Sequence, residues 1–244
     1  MKAYLFFIAA AFAASRAVAQ PQGCPLEGDA KQALAKELNP FKNRTDAPPA
    51  AKINPAATLG AVLAPGPDLQ RWSRDDAAVF EGVVINVKVG GIESVNCHAK
   101  DPAHRDTHIE LALSPMATST QRVIVEVTPH WREQMAAIAD WSTSALKQQL
   151  LPNGQPGTRV RITGWLFDDL EHVKQAENTN PGGSSNWRAT VWEIHPITAI
   201  QVLPGAALAA PALAPAPTQK ARHHRPRIKR KCIRGHRCGR PKSN

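Results

Sequence analysis

Five stretches of this chain carry apolar residues at alternate positions, and only one helical stretch interrupts them, between the third and the fourth. Few folds accommodate that order. Val83, Ile85, Val87 and Val89 recur at every second residue between Glu81, Asn86 and Lys88, the alternation of a half-buried strand. By the same test Ile109, Leu111 and Leu113 share one face of a second strand, and Val123, Val125 and Val127 one face of a third. Thr128-Pro129 then supplies an N-cap with proline at the first helical position. Trp131, Met135, Ile138, Ala145 and Leu146 mark one amphipathic helix that ends before Pro152. After a turn over 152–157, Val160, Ile162 and Leu166 predict a fourth strand, and Arg188 to Ile194 with Ile197 to Val202 a fifth.

Strand, strand, strand, helix, strand, strand is the order of a mostly β, five-stranded OB-like barrel. A small antiparallel sheet with one packed helix satisfies the same pattern without closing. Parallel doubly wound folds need a helix between successive strands, which this chain lacks. The domain spans 71–203. Ahead of it, 20–70 predicts a short helix over Glu27 to Leu38, stopping at Asn39-Pro40, and a Pro/Ala-rich surface connection. Behind it lie an Ala/Pro spacer at 204–219 and a basic, disordered tail at 220–244.

The first 19 residues read as a signal peptide, with Lys2 as the charge, Ala3 to Ala14 as the apolar core and Ala17-Val18-Ala19 as the cleavage site. The run is too short to span a bilayer, and no later segment is long enough, so no membrane span is expected once it is removed. The expected location is secreted or periplasmic. The whole chain has 30 basic and 20 acidic residues, yet 20–219 holds 17 basic and 20 acidic ones. The positive excess is therefore confined to the tail, and general attraction of the body to nucleic acid is not indicated.

Export permits disulfides, and the four cysteines allow three pairings. The simplest joins Cys24 to Cys97 in the body and Cys232 to Cys238 in the tail. The rival is a metal cluster of Cys232, His236 and Cys238 with His223 or His224, which lacks the paired short spacings of zinc modules.

Two long polar loops flank the predicted sheet. The first runs from Gly90-Gly91 through Glu93, Cys97, His98, His104 and Arg105 to Asp106. The second runs from Asp168-Asp169 through Glu171, His172 and Asn180-Pro181-Gly182-Gly183 to Asn186. In OB barrels such loops meet at the ligand face. Asp106 and His108, and again Glu193 and His195, sit two residues apart, so each pair points to one side. With Glu126 and Arg188 they form the candidate catalytic set, able to bind a divalent metal or to serve as acid, base and phosphate contact. Hydrogen-bonded structural roles for the same residues are the competing reading. Trp131, Trp141, Trp165 and Trp192 are read as packing, and Trp187 with Arg188 and Trp192 as the alternative stacking platform. No HExxH, phosphate-cradling glycine loop or GxSxG elbow is present, which removes several enzyme classes.

The strings Glu93-Ser94-Val95-Asn96-Cys97, Asp106-Thr107-His108-Ile109-Glu110-Leu111, Val125-Glu126-Val127-Thr128-Pro129, Thr163-Gly164-Trp165-Leu166-Phe167-Asp168 and Trp192-Glu193-Ile194-His195-Pro196 together resemble a group of exported bacterial proteins with an OB-like domain and no established activity. The resemblance covers Arg71 to Val202 and implies one folding unit but no mechanism. Likeness to staphylococcal-type nucleases extends only to barrel plus export, so nuclease chemistry is analogy.

In the tail, Arg222, Arg225, Arg227, Lys229, Arg230, Lys231, Arg234, Arg237 and Arg240 form a cationic block without acidic residues. Such a block binds polyanions by counterion release, and its arginines favour bidentate contact with phosphate or sulfate. The expected function is an exported, non-enzymatic binding protein docked by its tail on an anionic envelope or extracellular polymer, without a cofactor. The alternative is a metal-dependent phosphodiesterase or nuclease using the candidate catalytic set and a divalent metal.

Overall fold

The computed structural model describes residues 23–204. The signal segment, nearly all of the spacer, the cationic tail and the Cys232–Cys238 pair lie outside the described residues. Five strands form, β1 (Ala77–Val89), β2 (Thr107–Ala112), β3 (Val123–Val127), β4 (Arg159–Asp168) and β5 (Trp192–Val202), with α1 (Ala33–Lys42), α2 (Leu59–Leu63), α3 (Pro129–Met135) and α4 (Thr143–Leu150). The strands close into a barrel in the order β1-β2-β3-β5-β4. β1 pairs antiparallel with both β2 and β4, and β3 runs parallel to β5. This is the OB-like order, and closure excludes the open-sheet alternative.

Alternation then assigns the two faces. Ile109, Leu111, Val123, Val125, Val127, Ile162, Leu166, Trp192 and Ile194 fill the interior with aliphatic and aromatic side chains from the helices. Because side chains point alternately, His108, Glu126, Glu193, His195 and Phe167 lie on the outer wall. Trp131, Trp141, Trp165 and Trp192 are all buried, as packing residues should be.

Local structure departs from the simple pattern in four places. On β1, the strand partners skip from Val84 to Asn86, a bulge that flips the facing. Phe80, Val84 and Val87 therefore enter the core, while Val83 and Ile85 join Ala112 and Ala117 in a separate outer cluster. The expected single face of Val83, Ile85, Val87 and Val89 is thus split.

The expected helix behind Thr128 is two helices. Thr128 does cap α3, accepting from the Trp131 amide, but Ser142 Oγ accepts from the Ala145 amide and starts α4 afresh, with Asp140 Oδ1 accepting from the Ser142 amide. Ile138 falls in the break, 79% exposed.

The N-terminal helix is shifted to Ala33–Lys42 and carries Pro40 inside it. A turn closed by the Gly28 amide on the Pro25 carbonyl delays its start, and the Asn43 amide still reaches the Asn39 carbonyl at 3.0 Å beyond the proline. The connection after it is not merely superficial, since α2, capped by Thr58, sends Leu59 and Val62 into the core.

β5, finally, begins at Trp192 rather than Arg188, because the backbone ahead of it bonds elsewhere. The Ala189 amide donates to the Arg122 carbonyl and the Val191 amide to the Asp68 carboxylate.

The Cys24–Cys97 disulfide forms and spans 73 residues of sequence. It ties the segment leading into α1 to the β1–β2 loop. Beside it, Gly28 has φ of +64°, and a Cβ there would lie 2.1 Å from the Ser94 carbonyl oxygen, so only glycine permits the approach. In the chain-entropy account a loop of that size is worth about 4 kcal/mol. Reducing the bond, or replacing both cysteines by serine, should lower stability by up to about that amount and speed amide exchange in α1 more than in the barrel. Uniform exchange across both would show that the disulfide does not specifically hold α1.

Gly164 provides a packing test. A Cβ there would meet the Pro196 carbonyl oxygen at 2.2 Å and Ile194 Cγ2 at 2.5 Å. Gly164→Ala should cost about 3 kcal/mol in denaturant unfolding. Gly60→Ala, in α2 with nothing within 4 Å of its Cβ position, should instead stabilise by about 0.5–1 kcal/mol.

Candidate functional site

The six residues singled out in sequence, Asp106, His108, Glu126, Arg188, Glu193 and His195, come together. Strand pairing accounts for most of this. His108 on β2 lies opposite Glu126 on β3, and β3 pairs in turn with β5, which carries Glu193 and His195. Asp106 enters from the end of the β1–β2 loop and Arg188 from the β4–β5 loop. The cluster sits on the outer wall of the barrel rather than inside its mouth.

It is sealed. All six residues are buried, from 0% exposure for Arg188 and Glu193 to 9% for His108. Helix α1 and the two polar loops supply the cover. From α1, Lys42 Nζ lies 2.8 Å from Glu93 of the first loop and 3.6 Å from Glu171 of the second, while sitting over the Phe167 ring. Its side chain is 3% exposed.

The contacts form a chain of alternating charge. Arg188 donates to Glu193 Oε1 at 2.6 Å and lies 3.9 Å from Asp169. Glu193 Oε2 is 3.4 Å from His195 Nδ1. His195 Nε2 is 4.0 Å from Asp106, and His195 Nδ1 is 3.9 Å from Glu126. Glu126 Oε1 in turn lies 2.9 Å from His108 Nε2, a close ion contact whose geometry falls off the line of a hydrogen bond. Asn96 donates to Asp106 Oδ2 at 2.9 Å.

Arg188 thus pairs with Glu193 and Asp169. The neighbouring Asp168 pairs with Arg74.

Burial sets the electrostatics. Burial disfavours the imidazolium at His108, yet Glu126, Glu193 and Glu93 outweigh it and raise the pKa to about 9. His195 is raised to about 9 in the same way, burial being overcome by Glu126, Glu193 and Asp106. Asp106 goes the opposite way for a carboxyl, up to about 6, because burial there exceeds the help from His195. Lys42 is held well above its ordinary value, burial being outweighed by Asp169, Glu93 and Glu126. Asp169 is pulled far below the carboxylate range against the cost of burial, by Lys42, His172 and Arg188.

One atom each of Asp106, Glu126 and His195 lies within 4.8 Å of the others, so these three could hold a metal ion. His98 and His104, named with the first loop, stay outside the cluster, pairing with Asp29 and Asp101. Lys42, Asn96 and Asp169 are members that strand patterning missed. A lysine followed by asparagine at the end of a short helix carries no periodic signal. Trp187 is half-buried, edge-on to His172 at 5.4 Å between ring centres.

Two measurements check this account. Arg188→Ala leaves buried carboxylates unpaired and should cost about 3–5 kcal/mol. Removing Arg161 from its exposed pair with Glu81 should cost at most about 1 kcal/mol.

His172, 28% exposed at its side chain and 2.7 Å from Asp169, is raised above 6.5, Asp169 overcoming the burial cost. The stability from this pair is full below about pH 6.5 and fades as pH rises through the raised value. The His172 ring should titrate above 6.5 by NMR and return towards it in Asp169→Asn. An unchanged midpoint would refute the assignment.

Comparison with known protein families, curated proteins and solved structures finds no match to this chain.

Proposed function

We propose that the chain is an exported, non-enzymatic binding protein whose cationic tail docks on an anionic envelope or extracellular polymer. The segregation of charge carries this reading. Eleven Lys or Arg and no acidic residue occupy 220–244, against a body of net negative charge over 20–219.

Two features of the described residues support it. The Cys24–Cys97 bridge suits an oxidising compartment, and no described helix is long and apolar enough to cross a membrane. The residues expected to serve a phosphodiesterase are also sealed beneath α1. A polymeric phosphodiester would have to lift that cover to touch them, which weighs against the hydrolytic alternative.

Binding to heparin or duplex DNA, followed by fluorescence anisotropy across a salt series, tests the reading. The full chain should lose affinity steeply with salt, with a log–log slope of several units. A chain ending at residue 219 should lose nearly all binding. Equal binding by the shortened chain would overturn the proposal. Metal-dependent turnover of a phosphodiester that disappears in His108→Ala would favour the enzyme instead.

A further inference from the structure

The cluster on the barrel wall is more than an ion-pair network, because its hydrogen-bonding capacity does not close on itself. Asp106 Oδ1, Glu126 Oε2 and His195 Nε2 are all buried and without a hydrogen-bond partner. These belong to residues only 2%, 3% and 1% exposed. Leaving such an atom unpaired forfeits its hydration with nothing in return, so three of them on three neighbouring side chains ask for a common partner. One ligand atom from each of the same residues falls within 4.8 Å of the others.

We infer that Asp106, Glu126 and His195 form a binding site for a divalent transition-metal ion.

The donor set selects the class of ion. Two carboxylates and one imidazole, with no thiolate, suit Mn²⁺, Fe²⁺, Co²⁺ or Zn²⁺ rather than Cu⁺, and the imidazole disfavours Ca²⁺ and Mg²⁺. Bonds of about 2.0–2.2 Å require the side chains to close in from the approaches seen here, 4.0 Å between His195 Nε2 and Asp106 Oδ2 and 3.9 Å between His195 Nδ1 and Glu126 Oε2.

The surroundings are those a metal site requires. Metal-bound histidines usually give their other ring nitrogen to a carboxylate. His195 Nδ1 faces Glu193 at 3.4 Å, and Glu193 is fixed by Arg188 at 2.6 Å. The second oxygen of Asp106 is taken by Asn96 at 2.9 Å, and the second oxygen of Glu126 faces His108 at 2.9 Å. Each ligand is thus oriented by its own neighbour while one atom is left over.

Coordination through His195 uses the neutral ring. An open groove of about 520 Å³, whose lining includes Asp29, Lys31, Glu93, His98 and Glu171, reaches the two carboxylates that pair with Lys42.

The test uses the full oxidised chain, stripped with chelator and titrated with Zn²⁺ or Co²⁺. Wild type should bind one more equivalent of Zn²⁺ than Asp106→Asn/Glu126→Gln, and Zn²⁺ should raise its melting temperature but not that of the double variant. The comparison of full chains cancels any metal held by histidines or cysteines of the tail. Co²⁺ in the site should give d–d bands that the double variant lacks, without the near-ultraviolet charge transfer of a thiolate ligand. Glu193→Gln should weaken Zn²⁺ affinity by about 10–100-fold.

If the double variant fails to fold, wild type alone decides. No rise in melting temperature with saturating Zn²⁺ or Co²⁺ overturns the inference. So does a Co²⁺ spectrum showing only thiolate ligation, or equal stoichiometry in a folded double variant.

Discussion

A lysine ammonium buried to 3% exposure holds the described part of this protein together. Taking such a charge out of water is affordable only if carboxylates surround it, and Lys42 finds Glu93 and Glu171 on two different loops. Those loops are 78 residues apart in sequence, and α1 is a third, separate element. The ion pairs therefore bind roof, front loop and rear loop to one point. Asp169 and Glu126 add to the same field. Glu93 and Glu171 keep some access to water, but without them the buried Lys42 ammonium would lose its ion pairs.

The outer placement of this network follows from barrel closure. A five-stranded barrel has an interior only wide enough for packed side chains, and here Ile109, Leu111, Val125, Leu166 and Ile194 occupy it. Residues in between must face outward. For most of an OB-like wall that means water, and Lys88 and Arg122 remain partly exposed in this way, flanking the buried Glu110. Over β3 and β5 the N-terminal helix, held by Cys24–Cys97, covers the wall and converts an outward polar face into a second, charged interior. The barrel thus has two cores of opposite chemistry on either side of one sheet. The apolar one supplies folding energy, and the charged one supplies the polar groups from which binding chemistry can be built.

Much of this was legible beforehand. Period-two alternation located all five strands, and the i, i+2 spacing paired Glu193 with His195 as the fold does, whereas Asp106 meets His195 and His108 meets Glu126 across strands. The even split of cysteines anticipated the Cys24–Cys97 bond. What escaped detection shares one physical cause, competition between local pattern and distant contacts. The bulge at Val84 to Asn86 breaks the alternation because the strand must turn to serve both β2 and β4. The restart at Ser142 depends on side-chain caps that compete with helix continuation. Asp169 was read only as part of a polar loop and Lys42 was not singled out, since nothing near them in the chain marks them as buried.

Strand content, a helical interruption between the third and fourth strands, the charge-segregated tail and the residue types able to ligate or exchange protons follow from composition and periodicity, which depend on near neighbours alone. Closure of the sheet, the outward position of the cluster, its cover by α1 and the unmatched atoms of Asp106, Glu126 and His195 depend on contacts between residues far apart in the chain. Burial is a property of the assembled fold. It turns six common polar residues into a site, because only when water is excluded does an unpartnered oxygen or nitrogen carry a cost that a ligand can remove.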